Sequence, residues 1–147
     1  MPYRHVYISK RSRDCDADQV QRILEAARHN NPQHGVTGML LCTNLLFMQL
    51  LEGAEADVLH IYDRITRDPR HFDCRVTLNT HTPQRAFSDW SMGYQDLDGD
   101  NPLAHLPGVS AFMQDPDPWR AAAEGDTALN MLLSFQQMFK SPIALSD

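Results

Sequence analysis

The first hundred residues of the chain alternate between two kinds of apolar pattern, one typical of strands and one typical of helices. The segment RHVYISK (residues 4–10) places apolar and polar residues in turn, with the period of two expected of a strand. The segment DADQVQRILEAARHNNP (residues 16–32) repeats apolar residues at helical spacing. Asp16 can cap this helix at Gln19, and Pro32 is expected to stop it after Asn30 and Asn31.

The same two patterns continue to residue 97. The further predicted elements are two strands in residues 35–53 that turn near Thr43 and Asn44, a helix in 54–68 ended by Pro69, a strand in 71–82 and a strand in 87–97. In the fourth strand Cys74, Val76 and Leu78 alternate with polar positions. The predicted order is therefore βαββαββ.

This order predicts an α+β fold, a ferredoxin-like sandwich with a mixed five-stranded sheet and both helices on one face. We assign it to residues 1–97 and treat residues 98–147 as a C-terminal extension. That extension contains an amphipathic helix capped by Asp126, whose apolar side includes Leu129, Leu132, Leu133 and Phe139. We expect this helix to cap the other face of the sheet.

Composition excludes several classes of protein. The chain has 147 residues with 42% hydrophobic content, which suits one globular core, and a net charge of −6, which disfavours nucleic-acid binding. It has no signal peptide and no apolar run near the roughly 20 residues of a membrane span, so we expect a cytoplasmic protein without a membrane partner. The three cysteines and seven histidines show no metal-ligand spacing, so no metal is expected.

Three polar features fall at core-facing positions of the predicted fold, namely Tyr7, the pair Asn30–Asn31 and Gln49. The first and third strands of a ferredoxin-like sheet are neighbours, so the Tyr7 phenol and the Gln49 amide can lie side by side. An amide buried without partners costs about 1–3 kcal/mol, so Gln49 faces water, has a protein partner or binds a ligand. Each feature also has an ordinary structural interpretation, as a satisfied core hydrogen bond or a helix stop.

Five segments in a fixed order resemble the successive signatures of the BLUF family, blue-light sensors that use FAD. They are VYIS, HNNPQHGVTGMLL, FMQLLEG, YDRITRDPRH and FSDWSMGY, and they extend from about residue 3 to residue 95. The resemblance implies a ferredoxin-like domain that binds FAD non-covalently between its two helices. It also implies a photoreceptor rather than an enzyme, with signal transduction through contacts with another protein.

The resemblance further implies roles for individual residues. Tyr7 matches the photochemical electron and proton donor, and Gln49 matches the amide that light rearranges between this phenol and the flavin. Trp90 and Met92 match the signalling pair on the fifth strand. The residues expected to bind FAD are Tyr7, Ile23, Asn30, Asn31, Gln49, Arg64, Ile65, Asp68, Arg70 and His71.

The chemistry of these residue types agrees with a flavin site. A flavin edge presents two carbonyl acceptors and one N–H donor, and side-chain amides can satisfy all three. Ile23 and Leu24 on one helix, with Ile61 and Ile65 on the other, can flank the flat ring. Plain core packing explains these aliphatic residues equally well.

Two other functions fit the same order of elements. An acylphosphatase-like hydrolase would hold an anion in the loop after the first strand, where SKRSRDCDAD offers Lys10, Arg11 and Arg13 but no glycine. An RNA-binding domain of the RRM kind would need aromatic residues on its middle strands, and the third strand offers only Phe47. The hydrolase is the alternative that we carry forward.

The C-terminal helix bears on the expected output. Its apolar side is wider than one sheet face needs, and it is rich in methionine, which suits adaptable protein contacts. Burial of the helix on the sheet explains the pattern equally well, and part of the stripe can serve self-association. We therefore expect a short stand-alone photoreceptor that forms a homo-oligomer and signals to a downstream protein that the sequence does not identify.

Overall fold

The computed structural model describes residues 1–85 and 92–96. Its elements follow the predicted order, and a short 3-10 helix (Asn31–His34) is added after the first α-helix. The other elements are β1 (Tyr3–Arg11), α1 (Ala17–Asn30), β2 (Thr37–Cys42), β3 (Leu46–Gly53), α2 (Glu55–Thr66), β4 (His71–His81) and β5 (Gly93–Asp96). Neither α-helix of this part of the chain has the length and apolar character needed to cross a membrane.

The five strands form one mixed sheet in the order β4-β1-β3-β2-β5. β1 pairs antiparallel with both β3 and β4, β2 pairs antiparallel with β3, and β5 joins β2 in parallel. Tyr7 pairs directly with Gln49, as predicted from the neighbouring positions of the first and third strands. This topology confirms the ferredoxin-like fold.

The two helices bury one face of the sheet. Val20 and Leu24 of α1 and Val58 of α2 join Leu40 and Leu51 of the sheet in one core cluster. Burying such aliphatic side chains contributes about 1.5–3 kcal/mol each, so this layer is the main source of stability of the described domain. The functional side chains of β1 and β3 lie on the same face and are fixed by this packing.

The ends of α1 are set by local sequence. The Asp16 side chain accepts a hydrogen bond from the Gln19 backbone N–H at 2.9 Å, which confirms the predicted cap. Beyond Asn30 the chain does not simply stop at Pro32; it tightens into the 3-10 helix with that proline in its first turn. Gly35 ends this turn at φ +65°, a left-handed conformation that glycine adopts without a steric cost.

The opposite face of the sheet is buried as well. Val6 and Leu50 are fully buried on it, and Arg4 and Glu52 form an ion pair of 2.9 Å between cross-strand partners of β1 and β3. The C-terminal helix predicted to cover this face, from Asp126 onward, lies outside the described residues. The same holds for the predicted domain boundary at residue 97.

Two details of the predicted strands are wrong. Cys74, Val76 and Leu78 do not alternate regularly, because the register of β4 shifts against β1 between Val6 and Tyr7. The shift places Leu78 on the face of Val6 and Val76 on the face of Tyr7, and Val76 is about half exposed there. The fifth strand also begins later than predicted, because Met92 is not part of it.

β5 begins at Gly93, so Met92 immediately precedes the strand rather than lying on it. Trp90, its predicted partner in signalling, lies outside the described residues. A parallel strand of four residues at one side of a sheet carries too little pattern for its start to be located from sequence.

Candidate functional site

A cavity of about 210 Å³ lies between α1, α2 and the sheet. All ten residues predicted to bind FAD line it, although they come from five separate segments of the chain. The lining residues that the prediction did not include as site residues are Ala26, Ala27, Leu40, Phe47 and Ile61. The structure therefore brings the whole predicted set together around one space.

A chain of hydrogen bonds crosses the floor of this cavity. The Tyr7 hydroxyl donates to Oε1 of Gln49 in a short hydrogen bond, and Nε2 of Gln49 donates to Sδ of Met92 at 3.4 Å. All three side chains are almost fully buried. The reverse amide orientation would set Oε1 against the thioether, which offers no hydrogen, so the observed one is favoured without a ligand.

The environment of Tyr7 keeps its phenol protonated. Burial, followed by the nearby acidic groups of Cys74, Tyr62 and Asp68, raises the pKa of Tyr7 well above its ordinary value. A neutral phenol donates one hydrogen bond, and the one it makes here goes to Gln49. At neutral pH the phenol proton therefore points at the amide oxygen.

The two asparagines lie at the end of α1. Asn31 is buried, and its backbone carbonyl accepts a hydrogen bond from the N–H of Val36 at 2.9 Å. The 3-10 turn thus fixes the backbone that carries this amide, while Asn30 is half-buried beside it. A rigid turn therefore presents both amides at the same end of the cavity.

His71 closes another side of the cavity at the start of β4. Its Nε2 lies 2.6 Å from the carbonyl oxygen of Ile65, and its Nδ1 lies 2.7 Å from Oγ of Ser9. A carbonyl only accepts, so Nε2 carries a proton and donates to Ile65, while Nδ1 and the Ser9 hydroxyl form the second hydrogen bond. Two hydrogen bonds thus hold the ring against the end of α2.

The charged residues at the cavity differ in their partners. Arg70 donates to both carboxylate oxygens of Asp68, with the shortest distance 2.6 Å. Although burial raises the pKa of the Asp68 carboxyl, the hydrogen bonds and charge of Arg70 lower it below its usual value. Arg64 is exposed and has no ion-pair partner within residues 1–85 and 92–96. A guanidinium is thus available to an anionic ligand at the rim.

The same contacts weaken the two alternative functions. The Arg11 guanidinium donates to the backbone carbonyls of Cys15 and Thr43 at 2.8 and 2.9 Å, so it holds loops together instead of facing an anion. Lys10 pairs with Asp73. Phe47 lines the helix-covered cavity, whereas an RRM presents its aromatic residues on the open face of the sheet.

Some lining residues could have been found from their spacing. Ala27 follows Ile23 by one helical turn, and Leu40 pairs with Gln49 across β2 and β3. Leu24, expected to flank the ring, is fully buried in the core and does not line the cavity, whereas Ile23, Ile61 and Ile65 do. The helical period alone could not separate the two roles.

A row of aromatic side chains leads from the cavity into the protein. The Tyr62 ring lies 5.1 Å from that of Tyr7 and 4.2 Å from the His5 ring, measured between centroids. His5 is buried, and its Nε2 is the one buried side-chain nitrogen or oxygen without a hydrogen-bond partner in the described part of the chain. Burial lowers the pKa of His5 below its ordinary value.

We expect His5 to make stability depend on pH. In the unfolded chain the His5 imidazole has a pKa of about 6.5, whereas in the folded protein its pKa is lower. The stability that the neutral, buried ring contributes is therefore fully present above about pH 6.5 and is lost as the pH falls through the folded-state pKa. His5→Phe keeps an aromatic ring at this position but removes the titrating group. Urea unfolding of this variant should show a smaller loss of stability between about pH 7 and pH 5 than that of the wild type. Equal losses would contradict this assignment.

The fold and the cavity define a ferredoxin-like domain with a buried site of tyrosine, amide and thioether groups. The family model described as "BLUF: Sensors of blue-light using FAD" matches residues 3–93. The chain belongs to this family of blue-light sensors, and the cofactor of the family is FAD. The recognition made from five sequence segments is confirmed.

The relatives include both regulators and enzymes. The chain is 36% identical over 92 residues to the blue light- and temperature-regulated antirepressor BluF of Escherichia coli, matching 63% of this chain and 23% of the relative. It is 36% identical over 87 residues to the beta subunit of the photoactivated adenylate cyclase of Euglena gracilis, matching 58% of this chain and 10% of the subunit. The chain therefore spans well under two thirds of these proteins.

Solved structures resemble the fold over more of the chain. A bacterial light-regulated adenylyl cyclase has a TM-score of 0.66 at 30% identity, covering 84% of this chain and 36% of the other. BlsA in its photo-activated state has a TM-score of 0.63 at 25% identity, covering 78% of each chain. The dark state of BlrB, a BLUF protein, has a TM-score of 0.67 at 22% identity and supports the fold alone.

Proposed function

We propose that this protein is a blue-light photoreceptor in which Tyr7 and Gln49 form the switch. The observation that carries the proposal is the continuous hydrogen-bond chain from the Tyr7 hydroxyl through the Gln49 amide to Met92. It lies in a cavity lined by every residue expected to bind FAD. An amide that joins a phenol to a thioether can change partners without breaking a covalent bond.

The donor set of the cavity suits FAD. Asn30, Asn31 and Gln49 offer amide donors and acceptors for the polar edge of a flavin ring, and aliphatic residues of both helices offer flat apolar contact. Arg64, at the rim, offers a positive charge to the phosphate groups of the cofactor. When bound, FAD supplies absorption of blue light and an excited state that accepts an electron.

The chain's own residues perform the switching steps. Tyr7 is the electron and proton donor, because its raised pKa keeps the phenol proton in place and directs it at Oε1 of Gln49. Return of both the electron and the proton to the phenol leaves Tyr7 unchanged, while Gln49 can settle with its oxygen and nitrogen exchanged. In that state the phenol contacts the amide nitrogen and the thioether contacts the amide oxygen. The lit state therefore differs from the dark state in its hydrogen bonds.

The test is an absorption spectrum before and after blue light. The purified protein should carry oxidised flavin that is identified as FAD after release, and illumination should shift its visible band slightly to the red, with recovery in the dark. The ordered set of Tyr7, both asparagines and Gln49 motivates this expectation. A protein that takes up no flavin on refolding with FAD would refute the proposal.

We expect Asn31→Ala to lower the affinity for FAD. The change leaves a buried polar edge of the ligand unpaired, at a cost of about 1–3 kcal/mol, or roughly 5- to 150-fold in affinity. Titration of the flavin-free protein with FAD measures the loss. Asn44→Ala is a matched control, because Asn44 is exposed in the turn between β2 and β3. Equal affinities of the two variants would contradict a role for Asn31 in binding.

The output that we propose is a changed protein contact rather than a catalysed reaction. The similarity to the cyclase subunit covers a tenth of that enzyme, and the antirepressor is by its name a regulator. We place the signal on Met92 and Trp90 and on the C-terminal helix, with a downstream protein and a second copy of this chain as partners. The three cysteines form no disulfide within the described residues, which supports a site of action in the reducing cytoplasm.

A further inference from the structure

Arg28, near the end of α1, reaches across to the residue that precedes β5. Its Nε and Nη2 both donate to the backbone carbonyl oxygen of Met92, at 3.2 and 3.1 Å. The same methionine accepts the Gln49 amide at its Sδ. One residue is therefore held at its backbone by a helix and in contact with the switching amide at its side chain.

The contact from Arg28 is well suited to hold the backbone. Both hydrogen bonds come from a charged donor, and such bonds are about twice as strong as neutral ones. The guanidinium is half-buried, and burial lowers its pKa, yet an arginine remains protonated at any pH at which the protein folds. Within the described residues β5 pairs with β2 over Gly93–Asp96 alone, so this clamp of two hydrogen bonds from Arg28 adds materially to its attachment.

The hydrogen bond that depends on this clamp is a weak one. A thioether is a poor acceptor, so the amide of Gln49 keeps its Nε2 on Met92 only if the sulfur is placed correctly. A small shift of the Met92 backbone removes that partner and leaves the observed amide orientation supported by Tyr7 alone. The position of the carbonyl therefore controls the balance between the two amide orientations.

We propose that Arg28 is a positioning residue of the light response, which holds Met92 where its sulfur accepts from Gln49 and so favours return to the dark state. This inference rests on the proposed photoreceptor function. The five family-like sequence segments did not point to a role for Arg28, because Arg28 and Met92 are 64 residues apart in the chain. This inference also gives α1 a direct connection to the start of β5.

The first test measures recovery from the lit state. Arg28→Met keeps the unbranched side chain and removes the donors, and we expect its dark recovery to slow by up to about fivefold, the factor for complete loss of one ordinary hydrogen bond. Arg28→Lys, which keeps a charged donor, should recover at a rate closer to the wild type. Arg22→Met, an exposed position on the same helix, should match the wild type. Unchanged or faster recovery in Arg28→Met overturns the proposal.

A double-mutant cycle separates positioning from a general effect on folding. Met92→Leu removes the sulfur at similar volume, so Arg28→Met should slow recovery far less in that background than in the wild type. If Arg28 were merely structural, Arg28→Met would lower the midpoint of thermal unfolding in both backgrounds, and the rate of dark recovery of the flavin-bound protein would stay the same. Equal slowing in both backgrounds also overturns the proposal.

A measurement in the dark distinguishes failure of this inference from failure of the photoreceptor function. Hydrogen exchange at the backbone amides of Gly93–Asp96 should be faster in Arg28→Met than in Arg22→Met, whether or not the protein responds to light. If the wild type shows no red shift, the proposed function fails, and this exchange still tests the clamp. Equal exchange in the two variants shows that Arg28 does not hold β5.

Discussion

Gln49→Leu is expected to abolish the light-induced red shift while FAD remains bound. Leucine keeps the size and burial of the position but has no group to accept from Tyr7 or donate to Met92, so nothing is left to exchange partners. The apolar walls and the asparagine amides that hold the ring are untouched. Difference absorption before and after blue light, on samples of matched flavin content, measures the loss.

Matched variants sharpen this expectation. Gln19→Leu makes the same change at a partly exposed position of α1 that does not line the cavity, and it should leave the shift intact. Tyr7→Phe removes the other half of the hydrogen bond and should also abolish the shift. Tyr62→Phe removes a phenol whose ring lies 5.1 Å from that of Tyr7 and should retain it. A normal shift in Gln49→Leu would refute the role of the amide.

Arg4→Met is expected to lower the free energy of unfolding by about 3–5 kcal/mol, because it leaves Glu52 buried without its cation. The cost arises from the carboxylate and not from lost packing, since methionine fills similar space. Arg4→Met combined with Glu52→Leu should therefore recover much of the loss. Urea unfolding of the three proteins measures both effects.

The control for the ion pair is an exposed one of the same type. Arg67 lies 3.0 Å from Asp63 on the surface of α2, one turn apart, and such pairs contribute about 0.3–0.5 kcal/mol. Arg67→Met should accordingly change stability little. If Arg4→Met lowered the free energy of unfolding as little as Arg67→Met, groups other than Arg4 would have to stabilise the buried Glu52 carboxylate. That result would contradict the role proposed for the ion pair.

Local rules and the order of elements predicted much of this molecule. The Asp16 cap is a contact within one turn, and the pairing of Tyr7 with Gln49 follows from the βαββ order, which leaves one neighbour for the first strand on that side. Tyr7, the two asparagines and Gln49 were singled out because buried amides and phenols need partners, whereas the charged site residues and His71 were named only from the family resemblance. The family resemblance then supplied the ligand that the residue types alone left open.

Features that depend on distant partners were beyond the sequence. The register shift in β4 pairs Val76 with Tyr7 but Leu78 with Val6, so the two apolar residues lie on opposite faces of the sheet, and the apolar alternation of the strand itself contains no sign of this. The pair Arg4–Glu52 spans 48 residues, and both side chains would be assigned to the surface from their charge alone. The start of β5 at Gly93 was likewise set by pairing with β2.

The strand order gives the sheet unequal stiffness. β3, which carries Gln49, is paired along its length with β1 on one side and β2 on the other, whereas β5 is paired only with β2 among the described strands. If light rearranges the Gln49 amide as proposed, we expect β5 to be displaced more than β3, because local opening follows the weakest attachment. Substitutions that lengthen or reinforce β5 would raise thermal stability and leave the colour change intact. The displacement of β5 on illumination would then be smaller.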